Sequence, residues 1–164
     1  MDNPSPNQAS APHPERKHLR RLDRIFLKWP IFYISTNALD RRPAFRDDRL
    51  AQAVIQALTE AGPRHGWKVG RYAVMPDHVH FLCAPAEVLS DLGRFVGGFK
   101  EAATKHAWKL GWEGRLWQRE FADHLWRTRE SYEQKWHYAS QNPVAAGLCA
   151  KAEDWPYQGE IEIL

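Results

Sequence analysis

The chain is poor in cysteine, and it has no cysteine pair spaced to hold a metal. Cys83 and Cys149 are the only two among 164 residues, and no C-x-x-C occurs. That argues against a zinc ribbon and against a disulfide scaffold. No apolar run approaches the length of a membrane span, and the N-terminus lacks the hydrophobic segment of a signal peptide. Cytoplasmic residence is therefore the expectation. No charge of one sign dominates either, since the net charge is only +3. There is no internal repeat and no long linker. The length predicts one domain with tails, large enough to bury a core.

What is present is basic and aromatic. Eight tryptophans are many for this length. Basic residues mixed with aromatics suit nucleic acid, by phosphate neutralisation and base stacking, but also suit an ordinary packed core. Residues 1–15, MDNPSPNQASAPHPE, are rich in Pro, Ser and Asn and are expected to form a disordered tail. The next segment, RKHLRRLDRIFLK, sets Arg16, Lys17, Arg20, Arg21, Arg24 and Lys28 against Asp23 alone. It reads as a phosphate-contacting arm, the alternative being a solvated charged face.

The patterning then predicts a fold. Strands are expected at Pro30–Ala38, Trp67–Met75, His78–Ala84 and Trp117–Leu125. Apolar spacing of three and four predicts helices over Phe45–Ala61, stopped by Gly62-Pro63, and over Leu89–Leu110 with Ser90 as its N-cap. Gly97-Gly98 inside the second helix suggests close backbone packing. A third helix spans Ser131–Gln141 and ends near Pro143. The order β-α-β-β-α-β is that of a ferredoxin-like α+β sandwich, with an extra C-terminal helix. The third strand would lie mid-sheet, with one face covered by two helices and the other open to a substrate.

That third strand opens on VMPDHVHFLC, Val74–Cys83. Alternation puts His78, His80 and Leu82 on one face and Val79, Phe81 and Cys83 on the other. The two imidazoles would stand ~6.5–7 Å apart at Cα, within reach of one metal ion. The alternative is a pair of partly exposed, hydrogen-bonded histidines beside a core of Val79 and Phe81. Cys83 faces away and is discarded as a ligand. His106 and His137 are read as solvated or core-edge residues.

The third-helix segment, in WHYASQNPVAAGL, sets Tyr132, Trp136 and Ala139 on one stripe that should pack on the body. Tyr138 lies off that stripe, with Asn142 four residues on. Asn is an acceptable oxygen ligand for a hard cation, although a residue before proline is biased away from helix and could instead cap the helix end. Tyrosine is a known covalent nucleophile. It is largely protonated at neutral pH, and a divalent cation polarising a phosphodiester supplies much of the help it needs.

HVH (His78–His80) followed by YASQNPVAAGL (Tyr138–Leu148) resembles the single-tyrosine HUH transposases, and among them the REP-associated tyrosine transposases. RRLDRIF (Arg20–Phe26), DRRPAF (Asp40–Phe45), YAVMPDHVHFL (Tyr72–Leu82), Phe99-Lys100, LWQREFADHLWR (Leu116–Arg127) and DWPY (Asp154–Tyr157) run in family order. The resemblance covers residues 16–158 as one domain, leaving 159–164 as a C-terminal tail. It implies a ferredoxin-like fold and metal-dependent nicking and rejoining of single-stranded DNA at palindromic-repeat hairpins, through a 5′-phosphotyrosine intermediate. By this resemblance Tyr138 is the nucleophile. His78, His80 and Asn142 hold Mg²⁺ or Mn²⁺. Lys100 sits where relatives often have a basic residue near the substrate, and binds DNA together with Arg16, Lys17, Arg20, Arg21 and Arg24. Asp123 and His124 serve structure or DNA contact. A monomer and a dimer are both compatible. The competing reading is a catalytically silent hairpin-binding protein on the same fold; a water-using His-x-His hydrolase would need more strands than this chain has.

Overall fold

A computed structural model describes residues 30–126 and 129–164. The tail and the basic-arm residues Arg16, Lys17, Arg20, Arg21 and Arg24 lie outside the described residues. The elements are β1 (Ile31–Asn37), α1 (Asp48–Arg64), β2 (Trp67–Met75), β3 (His78–Pro85), α2 (Leu92–Lys109), β4 (Ala122–Trp126), α3 (Arg129–Ser140), α4 (Asn142–Ala145) and β5 (Gln158–Glu160). The strands form one antiparallel sheet in the order β4-β1-β3-β2-β5. The first four strands give the ferredoxin-like arrangement expected from the sequence, with β1 and β3 central.

The two faces of β3 part as its alternation predicts. Val79, Phe81 and Cys83 are fully buried with Leu58 of α1 and Phe95 and Phe99 of α2. Burying an aromatic side chain of this size contributes on the order of 1.5–3 kcal/mol. On the opposite face Leu82 packs with Ile31, Ala73 and Trp126 beneath Tyr132, Trp136 and Ala139 of α3. The Tyr132 stripe therefore does seat α3 on the body, over the face that carries the histidines.

Helix ends differ from the sequence expectation for identifiable reasons. Asp47 caps α1 by accepting from the Arg49 N–H at 3.0 Å. The helix runs past Gly62-Pro63 to Arg64, and the stop comes at Gly66, whose φ of +71° is left-handed. Gly62 serves packing: a Cβ there would meet the Trp67 carbonyl oxygen at 3.0 Å. Asp91, not Ser90, caps α2 by accepting from the Arg94 N–H at 2.8 Å. Ser90 instead donates its hydroxyl to the Gly66 carbonyl at 2.6 Å. In α2 only Gly98 marks a close approach, where a Cβ would run into the His65 ring; Gly97 faces open space.

Two other differences concern strands. The fourth strand starts at Ala122, not Trp117, because Gln118, Arg119 and Glu120 turn their carbonyls onto the Lys100 ammonium. Residues 159–164 do not trail away as a tail. β5 pairs with β2, the Ile161 and Glu162 amides donate to the Gly70 and Val69 carbonyls, and Leu164 closes over Gly70.

Candidate active site

The site begins at the tight turn between β2 and β3. Met75 pairs with His78 across the hairpin, so Pro76 and Asp77 form the turn itself. His78 and His80 leave it on one face of β3, their ring centroids 4.6 Å apart and nearly perpendicular. Each is fixed differently. His78 Nδ1 lies 2.6 Å from the Asp77 carboxylate. An ionised carboxylate only accepts, so Nδ1 carries the proton and Nε2 is the ring's acceptor nitrogen. His80 lies against the ring of Tyr33, centroids 5.3 Å apart and planes 23° apart. Its Nδ1 is buried with no hydrogen-bond partner among the described residues. Burial above all, with Arg41 nearby, pushes the His80 imidazolium down to about 3, so the ring is neutral.

The face around the pair is built by β1 and β4. Register sets Asn37 opposite His78, Ser35 opposite His80 and Tyr33 opposite Leu82. His124 on β4 lies opposite Tyr33, hence on the histidine face, whereas Asp123 lies opposite Ile34 on the other. Aromatic contacts continue outward: Trp126 stacks on Tyr33 at 5.3 Å, and Tyr132 of α3 meets Trp126 edge-on at 6.0 Å. A chain of rings thus connects His80 to the helix that carries Tyr138. Arg71 of β2 fastens that helix from the other side. It pairs with Glu133 at 2.9 Å and with Glu160 at 3.4 Å, and lies over the Tyr132 ring.

Tyr138 is 80% exposed, and its side chain makes no hydrogen bond or ring contact among the described residues. Asn142 does not continue the tyrosine helix. α3 ends at Ser140, and Asn142 opens the short α4 ahead of Pro143, its carbonyl accepting from the Ala146 N–H at 2.9 Å. Pro143 has no N–H to give the Ala139 carbonyl, which interrupts the helical ladder here. The structure thus brings His78 and His80 together and sets Tyr138 on the helix over their face. No hydrogen bond joins Tyr138 or Asn142 to the histidines.

Lys100 does not project free toward a substrate. Its ammonium donates to the carbonyls of Gln118 and Glu120, each at 3.0 Å, and Arg119 at 3.3 Å, and sits 5.7 Å from the Phe121 ring. His106 pairs with Glu60 at 3.1 Å, as a core-edge residue would. The DWPY segment ties down the chain after α4: Trp155 Nε1 donates to the Val74 carbonyl, the Val74 N–H to the Tyr157 carbonyl, and the Tyr157 hydroxyl to Asp48. Sequence reasoning missed Tyr33, Asn37, Arg41 and Asp77. The polar alternation Tyr33-Ser35-Asn37 on β1, and an aspartate immediately before the first histidine, are the signals that could have found three of them.

Among the described residues no three His, Cys, Asp or Glu side chains gather where they could hold a metal ion. A cation here would rest on the two imidazoles, completed by neutral oxygens or by substrate.

The sheet thus presents a His-x-His pair on the face over which the tyrosine-bearing helix is seated. The chain belongs to the family described as Transposase IS200 like, whose model matches residues 34–132. A Haemophilus influenzae protein provisionally named a REP-associated tyrosine transposase is 23% identical over 144 residues, covering 82% of this chain and 81% of the relative. A solved structure of a REP-associated tyrosine transposase bound to a REP hairpin superposes with a TM-score of 0.69 at 21% identity, covering 85% of this chain and 82% of that one. A provisionally assigned transposase from Deinococcus radiodurans R1 gives a TM-score of 0.54 at 19% identity, covering 72% and 94%. The likeness to REP-associated tyrosine transposases read from the sequence is thus met again in both comparisons.

Proposed function

We propose that this chain is a single-stranded DNA endonuclease and strand transferase that nicks and rejoins DNA at hairpin sites, with Tyr138 as the nucleophile. The observation that carries the reading is the seating of the tyrosine helix on the histidine face of the sheet. Family membership supports DNA processing, and the hairpin in the related solved structure supports a hairpin substrate.

In the step proposed, the Tyr138 oxygen attacks the scissile phosphorus as the P–O bond to the 3′ oxygen breaks. The phenol proton is released, and the departing 3′ oxygen takes up a proton to become a hydroxyl. The 5′ phosphate stays on tyrosine as a diester, so the reverse attack by a 3′ hydroxyl rejoins a strand without ATP. The exposure of Tyr138 suits a nucleophile that must meet a bulky polymer.

His78 and His80 fit a divalent metal. One presents Nε2 because Asp77 holds Nδ1, and the other is neutral with an unpartnered ring nitrogen, as ligands must be. They would hold Mg²⁺ or Mn²⁺, and Asn142 is the third ligand proposed. When bound, the cation would polarise the phosphodiester. The basic arm is assigned to the DNA backbone. No described helix is long and apolar enough to cross a membrane.

The test is a denaturing gel with labelled single-stranded hairpins taken from repeats near the gene, with Mn²⁺ or EDTA. A metal-dependent covalent band that Tyr138→Phe abolishes is expected. Tight hairpin binding without cleavage by the wild type would replace this reading with that of a non-catalytic binding protein.

A further inference from the structure

DRRPAF is a motif that the proposed chemistry leaves without a role. Its first residues occupy an uncommon backbone conformation. Asp40 and Arg41 both have positive φ, +54° and +55°, and neither is glycine. L-residues adopt this region at a cost, and consecutive examples persist only where the surroundings hold them. Here the surroundings are the histidine turn. The Ala38 N–H donates to the Asp77 carbonyl at 2.8 Å, and the Phe45 N–H to the Pro76 carbonyl at 2.9 Å. The segment is therefore clamped on the turn from both sides of Asp40-Arg41.

The conformation delivers one side chain. Arg41 Nε lies 2.9 Å from Asp77 Oδ2, and its Nη1 donates to Asn37 Oδ1 at 2.5 Å. The other Asp77 oxygen holds His78 Nδ1 at 2.6 Å. Asn37, in turn, lies opposite His78 in the sheet. One guanidinium fork thus fixes both the carboxylate that sets the His78 ring and the neighbour of that ring on β1. Burial rises along the line, the side chains of Arg41, Asp77 and His78 being 51%, 24% and 16% exposed.

We propose that Arg41 is a positioning residue: through Asp77 it holds His78 in the tautomer that keeps the proton on Nδ1 and presents Nε2 to a divalent cation. The inference rests on the reading of His78 as a metal ligand. Without Arg41, Asp77 loses the cation on its second oxygen and is free to swing away from the ring. His78 then exchanges between tautomers, and only one of them presents Nε2. Partners of metal-ligating histidines act in this way, and their loss weakens metal binding about 10–100-fold.

The experiment uses the full chain, with Arg41→Gly, Asp77→Asn and the double variant. Glycine removes the side chain but accepts the left-handed backbone, so local strain is not added. The first readout is the His78 tautomer in metal-free protein above neutral pH, from ¹⁵N shifts of the ring. The second is Mn²⁺ affinity by calorimetry. Wild type is expected to show the Nδ1–H form, and Arg41→Gly a mixture with Mn²⁺ bound roughly tenfold more weakly. Arg41→Lys, which keeps the charge beside Asp77, should recover most of that loss. If Arg41→Gly does not fold, Arg41→Asn, which also tolerates left-handed backbone but cannot reach as a cation to Asp77, takes its place. The double variant should be no weaker than Asp77→Asn alone, because Arg41 acts through Asp77. An unchanged tautomer in Arg41→Gly, or losses that multiply in the double variant, would overturn the proposal; the second result would show that Arg41 acts on the metal site independently of Asp77. Absence of Mn²⁺ binding by wild type would instead defeat the metal reading of His78, with the tautomer still deciding the role of Arg41.

Discussion

Tyr33 lies nearly parallel to His80, ring centroids 5.3 Å apart, and Trp126 stacks on the same tyrosine at the same distance. The central strand β1 thereby gives His80 a flat aromatic wall in place of a hydrogen-bonding partner. His78, by contrast, is held by a carboxylate. Two adjacent imidazoles with different supports can converge without competing for the same polar groups.

The wall makes a prediction. Tyr33→Phe keeps the stacking, whereas Tyr33→Ala removes it and should cost about 2–4 kcal/mol in urea unfolding. Burial pushes the Tyr33 phenol up to about 12, while an unfolded tyrosine ionises near 10. The folded state therefore keeps a proton that the unfolded state releases. The resulting stability is complete below pH ~10 and is lost as pH rises from ~10 to ~12. Tyr33→Phe should reduce this alkaline slope without abolishing it, since burial also raises Tyr72 and Tyr132. An unchanged slope in pH-dependent unfolding would count against a buried Tyr33 hydroxyl.

The position of the tyrosine helix depends on Arg71. Its pairs with Glu133 and Glu160 are partly exposed, so each is worth about 1 kcal/mol or less in global stability. Local effects should be larger. Arg71→Glu is expected to speed amide exchange across α3 several-fold and lower the yield of covalent adduct, with both recovering in part when Glu133→Arg is added. If adduct yield is indifferent to both changes, Arg71 has no part in presenting Tyr138.

Lys100 tests the division between fold and substrate. Its ammonium serves three carbonyls of the loop leading to β4. Lys100→Met leaves those acceptors unpaired and should cost about 1–3 kcal/mol in thermal unfolding. The salt dependence of hairpin binding should remain that of wild type. A salt slope reduced by about one unit would show instead that the lysine neutralises a phosphate.

The C-terminal segment should be integral to the fold. Trp155→Ala removes the indole donor to the Val74 carbonyl and the edge-on contact with Tyr157. A loss of about 1–3 kcal/mol is expected, together with faster amide exchange in β5 and the neighbouring part of β2.

Much of this was legible because period-two and helical patterns carry strong signals. The alternation of HVHFLC assigned the two faces of β3 correctly, and the Tyr132-Trp136-Ala139 stripe seated α3. Caps and stops were less legible, since Gly62 turned out to be a packing residue and Gly66 the terminator. The supports of the histidines were harder still. Arg41 reaches Asp77 only because two consecutive residues adopt left-handed backbone, and no local sequence rule predicts that for Asp-Arg. β5 is only three residues long, Gln158–Glu160, and has no apolar alternation, so the segment reads as a tail. Its partner strand β2 is distant in sequence.

The most direct test of the central claim is to map the covalent adduct. A hairpin substrate cleaved in Mn²⁺ would be digested with nuclease and the protein with trypsin, and the nucleotide-bearing peptide sequenced by mass spectrometry. The account predicts one modified residue, Tyr138, carrying a 5′-linked phosphate. Modification of a different residue, or cleavage that leaves a free 5′ phosphate and no protein adduct, would contradict it.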